Sequence, residues 1–215
     1  MNEIASPERA ITKRRTWFWV WRFVVLAVIC GLIATLFIRA LVLDVYRIES
    51  ISMQSTLNPG QSVMVDRRAY AHADPQRGDV IVFDGRGSFL PYARASFADD
   101  LLGALRLSGT ENTYIKRVIA VGGDTVDCCG SDGKLSINGV PTDEPYIYEG
   151  DAASEQEFIG VVPEGRLWVM GDHRSRSEDS RALLGSSGGG MISVDRVVGK
   201  ATQIVWPLDQ RTDIE

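Results

Sequence analysis

Apolar positions fall into two regimes along this chain. From Phe23 to Ile38 (FVVLAVICGLIATLFI) they form one block interrupted only by Gly31 and Thr35. Beyond Asp44 they come in runs of four to eight, separated by Gly, Pro, Asn and Asp. Extended back to Trp17, the first block reaches 22 residues. That is about 33 Å of helix at 1.5 Å per residue, matching a hydrocarbon core of about 30 Å. No acidic residue lies between Trp17 and Leu43, and Arg22 and Arg39 are the only charges there. Arg22 is placed to snorkel toward an interface, beside a belt of Trp17, Trp19 and Trp21. Arg9, Lys13, Arg14 and Arg15 precede the block, while only Arg39 and Arg47 follow closely. The positive-inside bias predicts a cytoplasmic tail over 1–16, a transmembrane anchor over 17–43 and an outer domain over 44–215. A cleaved secretory signal is the competing reading, but its apolar region would be shorter, and no A-x-A-like site follows cleanly.

The second regime reads as strands. Asp44 to Ser50 alternates with period two, as a half-buried strand does. Gln61 to Asp66 follows an Asn-Pro-Gly turn, and Gly78 to Phe83 is a compact buried-strand pattern. Tyr114 to Val121 is another, ending at Gly122-Gly123-Asp124. Lys134 to Val140 places Asn138-Gly139 where a hairpin turn belongs. Arg166 to Met170 and Val197 to Trp206 complete the set. Strands this short and frequent, with no βαβ rhythm, predict a mainly-β domain built as a sandwich or barrel-like sheet, with a hairpin-rich insertion over 125–165. Residues 88–109 break the pattern: Leu90, Phe97, Leu101, Leu102 and Leu105 recur at helical spacing and predict a small amphipathic helical insertion, packed on the domain or on lipid. Gly185 to Gly190 reads as a flexible loop, because a phosphate-cradling loop would carry a lysine where Met191 stands.

Composition changes this picture little. A net charge of −5 and 24% charged residues are ordinary for a folded protein, and argue against a nucleic-acid binder, which carries a basic face. Cys30 lies in the anchor as a small hydrophobe. Cys128 and Cys129 are adjacent. A vicinal disulfide would need α-carbons closer than bridges favour, so two neighbouring thiols are the expected state. No Cys/His spacing resembles a metal site, and no cofactor is implied.

Candidate chemistry centres on Ser50-Ile51-Ser52-Met53-Gln54-Ser55-Thr56-Leu57. A serine hydroxyl attacks only when a base takes its proton. The chain holds two histidines: His72, in an evident loop, and His173, in a polar turn after Gly171-Asp172. A Ser/His/Asp triad through His173 therefore stays open. The alternative base is a lysine kept neutral by burial. Lys116 sits in a strand between Ile115 and Val118, where an exposed lysine is out of place. Lowering its pKa from ~10.4 to about 7–8 requires roughly 4 kcal/mol from the fold. In that window the unfolded chain binds more protons, so stability should rise with pH.

Four blocks, read in order, resemble the bacterial type I signal peptidases. They are Ser50-x-Ser52-Met53-x-x-Thr56-Leu57; Arg77-Gly78-Asp79-Val80-Ile81-Val82-Phe83; Tyr114-Ile115-Lys116-Arg117-Val118-Ile119 with Gly123-Asp124; and Met170-Gly171-Asp172-His173-Arg174-Ser175-Arg176-Ser177-Glu178-Asp179-Ser180-Arg181. The resemblance implies Ser52 as nucleophile and Lys116 as general base. It implies Ser50 as oxyanion donor beside the Ser52 N–H, Ser177 as the group orienting the amine, and Asp179 with Arg181 as a supporting ion pair. Arg117, on the opposite strand face, reads as structural. Substrate would add as a strand along Ile48, Ile51, Met53, Tyr114 and Ile115, with small residues accepted at the first and third positions before the cut. The implied activity is removal of signal peptides from secreted preproteins at the bacterial cytoplasmic membrane, so the implied partners are preproteins and lipid.

Two positions depart from the pattern. Relatives carry proline where Ser55 stands, which predicts some loss of turn rigidity without touching the dyad. Gly122 replaces another proline. His173 stands where relatives often carry asparagine, which favours a turn-stabilising role over the triad. A catalytically silent, membrane-tethered β-domain is the alternative from a different class. Covalent labelling by a serine-directed inhibitor discriminates it. A self-cleaving Ser–Lys repressor would be cytosolic and carry a DNA-binding head.

Overall fold

The computed structural model describes residues 8–41, 43–90, 112–186 and 188–214. It divides into two units, residues 1–41 and 42–215.

The first unit is one helix, α1 (Glu8–Leu41), of 34 residues, about 51 Å long. Its side chains are described at 17 and from 19 to 35, and all of them are exposed. Trp17, Trp19 and Trp21 cluster toward one end, followed by Val20 to Ile33 with apolar groups facing every direction. A helix that is apolar all round has no face for water. The Arg22 guanidinium lies 5.3 Å above the Trp19 ring. Among the described residues, whose side chains run unbroken along α1 only from 19 to 35, no helical segment is long and apolar enough to cross a membrane.

The second unit is built from β-sheet. Its strands are β1 (Leu43–Arg47), β2 (Ser62–Asp66), β3 (Val80–Asp84), β4 (Thr113–Val121), β5 (Thr125–Cys128), β6 (Ser136–Ile137), β7 (Val140–Pro141), β8 (Phe158–Val161), β9 (Arg166–Met170), β10 (Ile192–Ser193), β11 (Val197–Trp206) and β12 (Thr212–Asp213). The larger sheet runs β1-β2-β11-β3-β4-β9-β10, with β12 paired to β11. The smaller runs β7-β6-β5-β8. Every pairing between these strands is antiparallel. The period-two and compact apolar runs thus became strands close to where the sequence places them. The Asn138-Gly139 turn joins β6 to β7 with φ of 55° and 76°, the left-handed pair that a two-residue hairpin needs.

Position in the larger sheet explains the patterns. On β2, Val63 and Val65 are buried while their neighbours are half-exposed. On the inner strand β3, Val80 to Phe83 are buried on both faces, as a central strand requires. Ile81 pairs with Lys116 on β4, and Val82 with Ile115. The lysine therefore emerges from the middle of the sheet, opposite the fully buried Ile81 and beside the half-buried Ile115.

The second and third motif blocks close the corners of this frame. Arg77 pairs with Asp124 through its Nε and Nη2, and Asp124 also accepts the Val121 N–H at 2.9 Å. Asp79 accepts from Tyr70 at 2.9 Å and from Lys200 at 2.5 Å. Both loops pass through glycine at positive φ, Gly78 at 92° and Gly123 at 87°.

The adjacent cysteines differ from the expected pair of free thiols. Cys128 and Cys129 are joined in a disulfide across a cis peptide, with α-carbons 2.9 Å apart; a trans link would hold them 3.8 Å apart. The helical insertion expected over 88–109 falls almost wholly on 91–111, outside the described residues.

Candidate active site

Ser52 sits in a tight turn just beyond β1. The turn is closed by Gln54 N–H to Ile51 O at 3.0 Å and Leu57 N–H to Met53 O at 2.7 Å. Met53 and Leu57, four residues apart, are fully buried in the apolar cluster with Val63, Val65 and Val80. They plug the turn into the core, while Ser52, just before Met53, lines the cleft. Ser52 itself is 6% exposed.

Lys116 reaches Ser52 from β4. Its Nζ lies 2.7 Å from Ser52 Oγ and 3.0 Å from Ser177 Oγ. The residue is 4% exposed, and burial brings its pKa down to about 8; Asp179 pulls it upward and Arg181 presses it down. The cause is desolvation: an ammonium loses its water here, and among the described residues no carboxylate pairs with it directly.

Behind the lysine lies a second layer. Asp179 is fully buried and accepts from Arg181 Nη2 at 2.8 Å, from Arg181 Nε at 2.9 Å and from the Gly171 N–H at 3.1 Å. Although burial alone pushes the Asp179 carboxyl up, hydrogen bonds and charge from Arg181, with a bond from Ser177, hold it below the usual carboxylate range. Ser177 thus stands between Lys116 and Asp179 and fixes the amine. Arg181 also donates to Arg174 O at 2.9 Å, tying the pair to the loop that carries Ser177.

Ser50 lies on the other side of the nucleophile. Its Oγ accepts the Ser52 N–H at 3.2 Å, so the two groups expected to form an oxyanion hole touch each other. The cleft running past them has a volume of about 380 Å³ and is lined by Ile48, Tyr114 and Ile115, among others, with Ser52 and Lys116 at its base. Ile51 and Met53 do not line it. Met53 is spent on the core, and Ile51 points outward at 42% exposure. Arg176 and Glu178 contribute charge to the wall.

The structure turns the His173 ring away from the dyad. Its ring stacks on Tyr148 at 4.1 Å, its Nδ1 lies 3.1 Å from Gln54 Oε1, and its Nε2 lies 4.0 Å from Asp151. His72 is exposed in the turn after β2. Arg117 turns away from the cleft into a buried pair with Asp172, Nη2 to Oδ2 at 2.8 Å. There it also bonds Gly78 O at 2.8 Å and covers the Tyr146 ring at 4.0 Å.

Sequence reasoning missed the role of Gly171. A Cβ on this residue would collide with the Ser52 carbonyl oxygen and the Ser177 hydroxyl at once. The signal was present in the fourth block, but a glycine between a methionine and an aspartate reads only as a turn. The buried pair of Arg174 with Glu144, at 2.5 Å, had no signal, because Glu144 lies 30 residues away in an unremarked loop.

Comparison with known proteins identifies the family. The family model "Signal peptidase, peptidase S26" matches residues 19–206. The chain is 37% identical over 224 residues to a probable signal peptidase I of Mycobacterium leprae, covering 87% of this chain and 76% of that one. It is 40% identical over 190 residues to a signal peptidase I of Mycobacterium tuberculosis, covering 75% of this chain and 64% of the relative's length. A signal peptidase I of Bacillus licheniformis is 31% identical over 216 residues, with 95% and 97% covered. With a family match running from inside α1 to the end of β11, this chain belongs to the signal peptidase family, peptidase S26.

Proposed function

We propose that this chain is a serine endopeptidase that removes signal peptides from secreted preproteins, with Ser52 as nucleophile and Lys116 as general base. The observation that carries the reading is the 2.7 Å approach of Lys116 Nζ to Ser52 Oγ at a site where the lysine is 4% exposed. Neutral Lys116 takes the Ser52 proton as Oγ attacks the scissile carbonyl carbon, giving a tetrahedral intermediate. Collapse breaks the C–N bond, and the Lys116 ammonium returns the proton to the leaving amine. Water then attacks the Ser52 ester and gives a proton to Lys116. Collapse breaks the ester C–O bond, the Lys116 ammonium returns that proton to Ser52 Oγ, and the acid product leaves as its carboxylate with its proton lost to solvent. The Ser52 N–H and the Ser50 hydroxyl stabilise the oxyanion. Ser50 now accepts from Ser52, so its hydroxyl turns toward the incoming carbonyl when substrate arrives. A lost donor of this kind costs about 3 kcal/mol.

Substrate lies extended in the cleft along Ile48, Tyr114 and Ile115, with backbone hydrogen bonds giving affinity and small side chains fitting beside the dyad. The helix α1 anchors the enzyme in the bacterial cytoplasmic membrane as a single span. The 22-residue stretch from Trp17 to Ile38 supports this, as does the exposure of its described apolar groups on every side. The excess of Lys and Arg before that span supports a cytoplasmic amino terminus and an outer catalytic domain.

The test is cleavage of a preprotein by the full chain in lipid vesicles. Ser52→Ala and Lys116→Ala should each abolish processing while remaining folded. Full processing by either variant overturns the dyad.

A further inference from the structure

The turn carrying Ser52 meets the Gly171–His173 segment at three alternate residues. The Ser52 carbonyl accepts the His173 N–H at 3.1 Å, Gln54 Oε1 lies 3.1 Å from His173 Nδ1, and the Thr56 hydroxyl donates to Asp172 Oδ2 at 2.5 Å. The third bond belongs to the buried Arg117–Asp172 pair. The first two come from one residue. Because Gln54 Oε1 only accepts, His173 Nδ1 carries the hydrogen.

His173 is itself held on two sides, by the Tyr148 ring stacked at 16° to its own and by Asp151 facing Nε2. Tyr148 in turn donates its N–H to Asp172 O at 2.9 Å. The clamp is therefore rigid where it grips. What it grips is not rigid by itself. Between Gln54 and Thr56 stands Ser55 at φ +89°, a region that a residue with a side chain seldom occupies and that persists only where surrounding contacts impose it.

We propose that His173 is a positioning residue for Ser52, whose backbone and ring bonds at residues 52 and 54 hold the nucleophile turn in register with Lys116. The role rests on Ser52 being the nucleophile. Two points on either side of Met53 fix both the position and the rotation of the turn. A displacement of about 1 Å at a reacting atom costs on the order of 100-fold in rate. Removing the ring alone leaves the backbone bond, so a smaller loss of about tenfold is expected.

The experiment measures kcat and KM for preprotein cleavage by the full chain carrying His173→Ala, His173→Asn, Gln54→Ala or both alanines, with thermal midpoints recorded. His173→Ala and Gln54→Ala should each lower kcat about tenfold with KM within about twofold, since neither touches the cleft. The double variant should be no worse than either single one, because both remove the same bond. His173→Asn should recover most of the rate, its Nδ2 standing the same number of bonds from the backbone as the histidine Nδ1. Unchanged kcat in both single variants, or additive losses in the double, overturns the clamp. So does a His173→Ala protein as inactive as Lys116→Ala, which would make the histidine a base. If His173→Ala fails to fold, Gln54→Ala breaks the same bond from the half-exposed side and decides the matter alone. Ser52→Ala is the control: retained cleavage there sinks the dyad, whereas an inactive Ser52→Ala beside wild-type rates in the clamp variants sinks the clamp only.

Discussion

Lys116 Nζ stands 2.7 Å from Ser52 Oγ although 64 residues separate them, and the lysine lies opposite the fully buried Ile81 of β3 and beside the half-buried Ile115 of β4. Desolvation of the ammonium and delivery of the serine proton are two consequences of the same burial.

The first consequence is the pH dependence of cleavage. The base works only when neutral, and burial places its pKa at about 8. Plotted against pH, log kcat/KM should rise with a slope near one at lower pH and level off above about 8. The reading fails if rates fall as pH rises from 6 to 8.

The second concerns stability. Lys116 has a pKa of about 8 in the folded protein and 10.5 when unperturbed. Below pH 8 both states hold the proton, and the fold carries the full cost of a buried ammonium. Between the two values the unfolded chain binds more protons, so stability rises with pH and the cost is relieved. The interval corresponds to about 3 kcal/mol. Lys116→Met keeps the length and removes the charge. Denaturation of both proteins at pH 7 and pH 10.5 should show the wild type gaining about 3 kcal/mol relative to the Met variant. A constant difference across that range contradicts the buried ammonium.

Arg181 tests the layer behind the base. Its guanidinium is the main partner of Asp179, which is fully buried, and it also presses the Lys116 pKa down. Arg181→Gln should destabilise the protein by about 3–5 kcal/mol, because a buried charge loses its partner. In the folded fraction the acid limb of activity should move to higher pH. An unmoved limb would show that the pair supports the fold without tuning the lysine.

Much of this was legible in the sequence for definite reasons. Strands such as β2 and β4 announce themselves because alternation or a compact apolar run is what a sheet imposes on its residues. Lys116 was visible as a charge inside such a run. What stayed hidden depends on contacts between distant segments. Met53 reads as a cleft residue by its place beside Ser52, yet its side chain follows Leu57 into the core. The gap that only Gly171 fits is defined by Ser52 and Ser177, which are 125 positions apart in the chain and meet only in the fold. The link between Cys128 and Cys129 depends on a local peptide geometry that composition does not encode.

Gly171→Ala addresses that gap directly. The added methyl would press on the Ser52 carbonyl and the Ser177 hydroxyl together, displacing both the nucleophile and the group that holds the base. Overpacking of this kind costs about 1–3 kcal/mol, so the protein should still fold. Cleavage should fall by about 100-fold or more, mostly in kcat, since the cleft walls at Ile48 and Ile115 are untouched. Wild-type kcat in a folded Gly171→Ala protein would mean that the two serines tolerate the displacement.

Ser55 offers the converse case, a residue whose replacement should help. Its φ of +89° lies where a side chain is strained and glycine is not. Ser55→Gly relieves that strain and loses some backbone entropy, for a net gain of about 0.5–1 kcal/mol. Ser55→Pro does the opposite, because the ring holds φ near −65° and the turn would have to change course. Thermal unfolding of the full chain in detergent should rank the three proteins Gly above Ser above Pro. A proline variant as stable as the glycine one would mean that the turn adopts a second backbone path compatible with Met53 and Leu57 in the core.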